Sequence, residues 1–149
     1  MWNDRKSLVL SKSCVIVFMA LVLTCAVFAP QIVQYLVWLS VQAQQAGKGL
    51  FLLTVYTGCV ACAALLIFLY LLLHRIGAGQ VFVRENISCL RYISWCCFAG
   101  AVISMVSALY YIPWSAVGVA AAFMGLIVRV IKNVFAKAVS LQDDAELTI

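Results

Sequence analysis

The stretch Leu50–Leu73 contains no charged side chain, and no other feature restricts the fold so tightly. A helix rising about 1.5 Å per residue needs roughly 20 apolar residues to cross a hydrocarbon layer about 30 Å thick. Residues 50–73 meet that length, with hydroxyls only on Thr54, Tyr56, Thr57 and Tyr70. Their 14 Leu, Ile, Phe and Val residues favour insertion, by about −4 to −8 kcal/mol at roughly −0.3 to −0.6 kcal/mol each. Three further segments qualify, which predicts spans over residues 13–38, 50–73, 87–111 and 113–131. Backbone polar groups in lipid must be satisfied within their own segment, and period-two alternation is absent, so each span is expected to be a helix. The expected fold is all-α: one integral membrane domain over residues 1–149 with four transmembrane helices and an amphipathic, acidic tail over 132–149.

Composition narrows the choice in the same direction. Of 149 residues, 66% are apolar and 10% charged, where a soluble domain carries about 25% charge; mean hydropathy is +1.11. Ten Lys and Arg with five Asp and Glu cannot cover a water-soluble globule. The apolar content also excludes disorder, and no polar stretch is long enough for a separate soluble domain.

Nine of the ten basic residues fall at one end of the predicted spans. Arg5, Lys6 and Lys12 precede the first span, Arg75, Arg84 and Arg91 surround the second connection, and Arg129, Lys132 and Lys137 follow the fourth, leaving Lys48 alone opposite. Basic residues stay on the cytoplasmic side during insertion, so both termini are expected inside, in the cytoplasmic membrane. Tyr110, Tyr111 and Trp114 mark the outer turn, where amphipathic rings favour the headgroup layer. The first span has a signal-peptide-like start, but Pro30 directly after Val27, Phe28 and Ala29 argues against cleavage and for a retained anchor. Pro30 is expected to kink that span, and the fourth helix is expected to emerge along the inner interface.

Spans associate by close packing and interhelical hydrogen bonds, because lipid removes the hydrophobic drive between them. Gly100, Ser104 and Ala108 on the third span form one small-residue ridge; Gly118 with Ala122 and Ala121 with Gly125 form others on the fourth. These predict a tight antiparallel hairpin, with a homo-oligomer interface as the other use of such ridges.

Catalytic and metal-binding motifs are not expected. Seven cysteines lie in or beside apolar helix; Cys59 and Cys62 have CxxC spacing without a second pair or a nearby cation. A lone His74 does not complete a zinc site. Gly77 and Gly79 lack the rest of a phosphate loop, and Asn86-Ile87-Ser88 is discarded as a glycosylation acceptor because it faces inward. No ionisable residue falls near mid-bilayer, which disfavours a proton-driven pump. The expectation is a non-enzyme without catalytic residues, cofactor or metal, and without direct nucleic-acid contact. Recognition is expected at the inner face, through Arg75, Arg84, Glu85, Asn86 and Arg91 and through the acidic tail residues Asp143, Asp144 and Glu146.

Two stretches carry a resemblance. Arg75-Ile76-Gly77 followed by Val81-Phe82-Val83-Arg84-Glu85-Asn86-Ile87-Ser88-Cys89-Leu90-Arg91 resembles the second connection of a bacterial family, domain of unknown function 2975 (DUF2975), in which a Phe and an Asn precede a Leu-Arg pair. The ending Leu141-Gln142-Asp143-Asp144-Ala145-Glu146-Leu147-Thr148-Ile149 is similar to that family's acidic close. Val83 stands where a hydroxyl residue is common in the family, and Ala145 where a polar one is usual. The resemblance implies a cytoplasmic-membrane protein without an established activity, and genes of the family often neighbour a short helix-turn-helix regulator. It points to docking of such a small cytoplasmic regulator, and adds the motif residues Phe82, Leu90, Leu147 and Thr148 to the expected recognition surface. Two other readings stay open: a small transport or immunity (resistance) protein that binds an apolar compound or peptide between its spans, and a structural subunit of a larger membrane complex.

Overall fold

The computed structural model describes residues 4–148 and is all-α. Its elements are α1 (Asp4–Leu39), α2 (Val41–Ala46), α3 (Lys48–Gly77), α4 (Arg84–Ser107) and α5 (Trp114–Leu147). All but the short α2 are long and apolar enough to cross a membrane. The reading of the chain as a multi-pass membrane protein rests on these four helices. Ile149, the end of the acidic motif, lies outside the described residues.

The long helices stand side by side in chain order and run antiparallel. α4 packs against α3 and α5, and α3 against α1; among the described residues, the backbone of α1 does not closely approach α4 or α5. Burial follows this row. α4, flanked on both sides, buries Asn86, Cys89, Leu90, Ile93, Ser94, Cys97, Ala101, Ser104 and Ser107, whereas the described part of α5 buries only Gly118, Gly125 and Val139. The exposed faces of α1 and α5 are themselves Val, Leu, Ile and Phe, which is the surface lipid tolerates.

Several boundaries differ from the sequence reading. α1 continues through Pro30 as one helix, as a span over residues 13–38 requires, and the break comes at Ser40, which is extended (φ −128°, ψ 126°). Residues 41–46 then make the separate short helix α2, and Gly47 (φ 81°) supplies the left-handed step into α3. α4 begins at Arg84, earlier than expected, and ends at Ser107 instead of Tyr111. After Ser107 the hydrogen bonds tighten: Leu109 N–H donates to Val106 C=O and Tyr110 N–H to Ser107 C=O. Pro113 disfavours helix at Ile112, so the hairpin turn occupies residues 108–113. α5 has no break at the basic residues either. It continues to Leu147 as one helix.

α4 and α5 meet where the side chain is smallest. A Cβ on Gly125 would lie 3.1 Å from Cys97 Cβ, and one on Gly118 3.0 Å from Met105 Cγ and 3.3 Å from the Ala101 carbonyl. The approach at Gly125 lets Ser94 Oγ donate to its carbonyl oxygen at 3.1 Å. On α4 the close contact thus runs through Ser94, Cys97 and Ala101. A Cβ on Gly100 would meet nothing within 4 Å, Ser104 is buried, and Ala108 falls beyond the end of the helix. Ala121 and Ala122 are half-buried.

Candidate functional site

The basic residues gather where α3 ends, α4 begins and α5 runs on. α3 closes with a Schellman arrangement: Gln80 N–H donates to Arg75 C=O and Gly79 N–H to Ile76 C=O, with Gly79 left-handed at φ 83°. The turn aims the carbonyls of Gln80 and Val81 back at Asn86. The fully buried Asn86 donates from Nδ2 to both, at 2.7 and 2.8 Å, while its backbone N–H donates to Val83 C=O at 3.1 Å. Its Oδ1 is buried without a partner. Asn86, expected at the surface, is therefore an internal tie of the connection, buried beneath it.

Beneath this connection lies an apolar cluster of Leu72, Cys89, Leu90, Ile93 and Cys97, with Val128 and Phe135 of α5 packed against it. Leu90 is buried there, so it supports the site from inside. Arg75 extends from α3 to place Nη1 3.8 Å from Cys89 Sγ. On the other side, Lys12 of α1 reaches the end of α3, where a Cβ on Gly77 would lie 3.1 Å from its Nζ. A cation near the last carbonyls of a helix is favoured by the helix dipole.

α5 joins the connection through two contacts. Phe82 and Phe135 pack at 5.6 Å between ring centroids, and Arg84 Nη2 lies 3.0 Å from Asp143 Oδ2. Arg84 is 82% exposed and Asp143 44%; an ion pair of that exposure contributes about 0–1 kcal/mol. Burial of Val139 on α5 is worth more, about 1.5–2 kcal/mol. Apolar packing holds the tail to the connection, and the ion pair sets its register.

The remaining predicted residues lie on the surface. Glu85 and Arg91 are exposed, with the Arg91 guanidinium 5.9 Å from the Tyr92 ring centroid. Asp144, Glu146, Leu147 and Thr148 are also exposed. Ser94 is level with Gly125, so Arg91 and Arg129 sit at similar depth, about 5 Å further toward the basic end. From there α5 runs on for about 27 Å to Leu147. That extension exposes Val130, Val134, Leu141 and Leu147.

At the opposite end the structure assembles polar residues that sequence reasoning did not join. Thr54 Oγ1 lies 2.8 Å from Ser107 Oγ and 2.5 Å from Tyr110 OH, and donates to Leu50 C=O at 3.1 Å. Phe51, fully buried, packs edge-on against Tyr110 and Tyr111. The usable signal was a hydroxyl residue near a span end, facing a turn rich in tyrosine. All seven cysteines are free, and among the described residues no group of three or more His, Cys, Asp and Glu is placed to hold a metal ion.

The family model described as "Protein of unknown function (DUF2975)" matches residues 29–149, from the end of α1 through the connection to the acidic close. No curated protein and no solved structure matches the chain.

Proposed function

The chain belongs to the DUF2975 family, and from that premise we propose that it is a membrane-anchored docking protein, acting by binding and not by catalysis. The basic end faces the cytoplasm, because nine of ten Lys and Arg residues lie at that end and insertion retains such residues inside. The protein then resides in the bacterial cytoplasmic membrane with both termini internal. The supporting observation is the extension of α5: it runs unbroken to Leu147, packs on the 78–83 connection through Phe135 against Phe82, and exposes Leu141 and Leu147 among Asp143, Asp144 and Glu146. An exposed apolar pair set among carboxylates, beside Phe82 and Arg84, suits a soluble partner with a basic face.

A small helix-turn-helix regulator has that chemistry, since it presents basic residues to DNA phosphates. Carboxylates at the tip of α5 would occupy the surface that DNA needs, so membrane retention and DNA binding would compete. The test is fractionation of cells carrying a tagged neighbouring regulator. Deleting residues 141–149, or reversing charge with Asp144→Lys and Glu146→Lys, is expected to release the regulator to the soluble fraction while the membrane protein still inserts. Unchanged retention in both variants would overturn the reading.

A further inference from the structure

At the end remote from the basic residues, a cavity of about 570 Å³ opens between the last turns of α1, the short α2 and the start of α3. Gln31, Gln34, Tyr35 and Trp38 share one face of α1 at helical spacing and line it, with Gln44 of α2 and Lys48 of α3 opposite. Each carboxamide offers two N–H donors and an acceptor oxygen. Tyr35 and Trp38 pack at 6.4 Å and are mostly exposed, which places an amphipathic aromatic wall at the height where spans leave hydrocarbon.

Charge decides the kind of occupant. All five Asp and Glu residues lie toward the other end of the molecule, at positions 4, 85, 143, 144 and 146. The one ion pair among the described residues is Arg84–Asp143, so no carboxylate neutralises Lys48. Lys48 is exposed and is flanked by Gly47 and Gly49, where added Cβ atoms would meet nothing within 4 Å. The cavity therefore presents one cation, several uncharged hydrogen-bonding groups and a ring wall continuous with the lipid-facing surface.

We propose that this cavity seats the headgroup of an anionic phospholipid, a phosphodiester bearing free hydroxyls. Lys48 meets the phosphate, the Gln31, Gln34 and Gln44 carboxamides take the hydroxyls, and Tyr35 and Trp38 lie along the glycerol backbone and upper acyl chains. A choline headgroup fits poorly, because it brings a second cation to Lys48 and has no hydroxyl to bond. This site is independent of the docking surface at the basic end.

The test uses the full chain in phosphatidylcholine vesicles doped with brominated phosphatidylglycerol or brominated phosphatidylcholine. Quenching of Trp38 is read as the difference between the chain and its Trp38→Phe variant. Brominated phosphatidylglycerol is expected to quench as if enriched about fivefold at Trp38, the equivalent of about 1 kcal/mol for one lysine near the surface. Lys48→Gln is expected to remove that preference and Lys48→Arg to keep it. Equal quenching at Trp38 by the two lipids would overturn the proposal, and the Trp38→Phe reference it needs changes only a side chain that is 74% exposed. Relief of the preference by millimolar glycerol phosphate would assign the site to a soluble phosphate ester and overturn the lipid assignment.

Discussion

Asn86 holds the connection between α3 and α4 with two short bonds from one amide, and its own oxygen goes without a donor. Substitution to Asp keeps the shape but replaces both N–H donors with oxygen facing two carbonyls. Asn86→Asp is expected to lower stability by at least ~2 kcal/mol, with Asn86→Ala at the lower end of ~1–3 kcal/mol; thermal unfolding in detergent, followed by the helical signal, measures both. The sequence placed Asn86 in the right segment and misjudged its role. An Asn beside Arg84 and Glu85 looks like surface, and its burial depends on the left-handed turn at Gly79, which brings the Gln80 and Val81 carbonyls within reach. Thr54 shows the same limit, because its hydroxyl gains meaning only once Ser107 and Tyr110 arrive from α4 and the turn after it.

The helices were legible to the extent that hydrophobicity alone defines them. Length and apolar content place four of them, since lipid rewards both directly. Their ends were less legible, because an end is set by local hydrogen bonding. Ser107 closes α4 through tightened turns, Ser40 interrupts the chain after α1, and α5 runs past the basic residues to Leu147. The small-residue ridges were legible on α5, where Gly118 and Gly125 are buried, and less so on α4, where Ala101 is buried and Gly100 only half-buried. One end is open to improvement. Val83 occupies the N-cap of α4 in extended conformation (φ −119°, ψ 150°) without a side-chain bond to the first turn. Val83→Ser would supply that acceptor for Glu85 or Asn86 N–H and is expected to add ~0.5–1 kcal/mol, seen as a rise in unfolding temperature in detergent.

At the scale of the molecule, order in the chain is order in space, so α3 and α4 form the interior while α1 and α5 flank it. Such a row draws its stability from neighbouring pairs, and the α4–α5 pair depends on the missing side chain at Gly125. Gly125→Val is expected to separate that pair and lower thermal stability by ~1–3 kcal/mol, read as a fall in unfolding temperature in detergent. The charge distribution makes a prediction for the whole. On the proposed orientation, a fluorescent reporter fused after residue 149 should be bright in intact cells, and a periplasm-dependent phosphatase fused there should be inactive. Which end carries the charge could be read from the residues; how the tail stands could not, because its packing on Phe82 depends on the folded connection.

The unbroken course of α5 has a mechanical consequence. A rod of 34 residues, about 51 Å long, pivots as one piece, so a change in tilt within the lipid reappears enlarged at its far tip. If a thinner or thicker bilayer rotates α5 by about 5° around its Trp114 end, Leu147 swings by about 4 Å. The stiff stem would thereby turn the physical state of the bilayer into a displacement that a protein seated on its tip can feel.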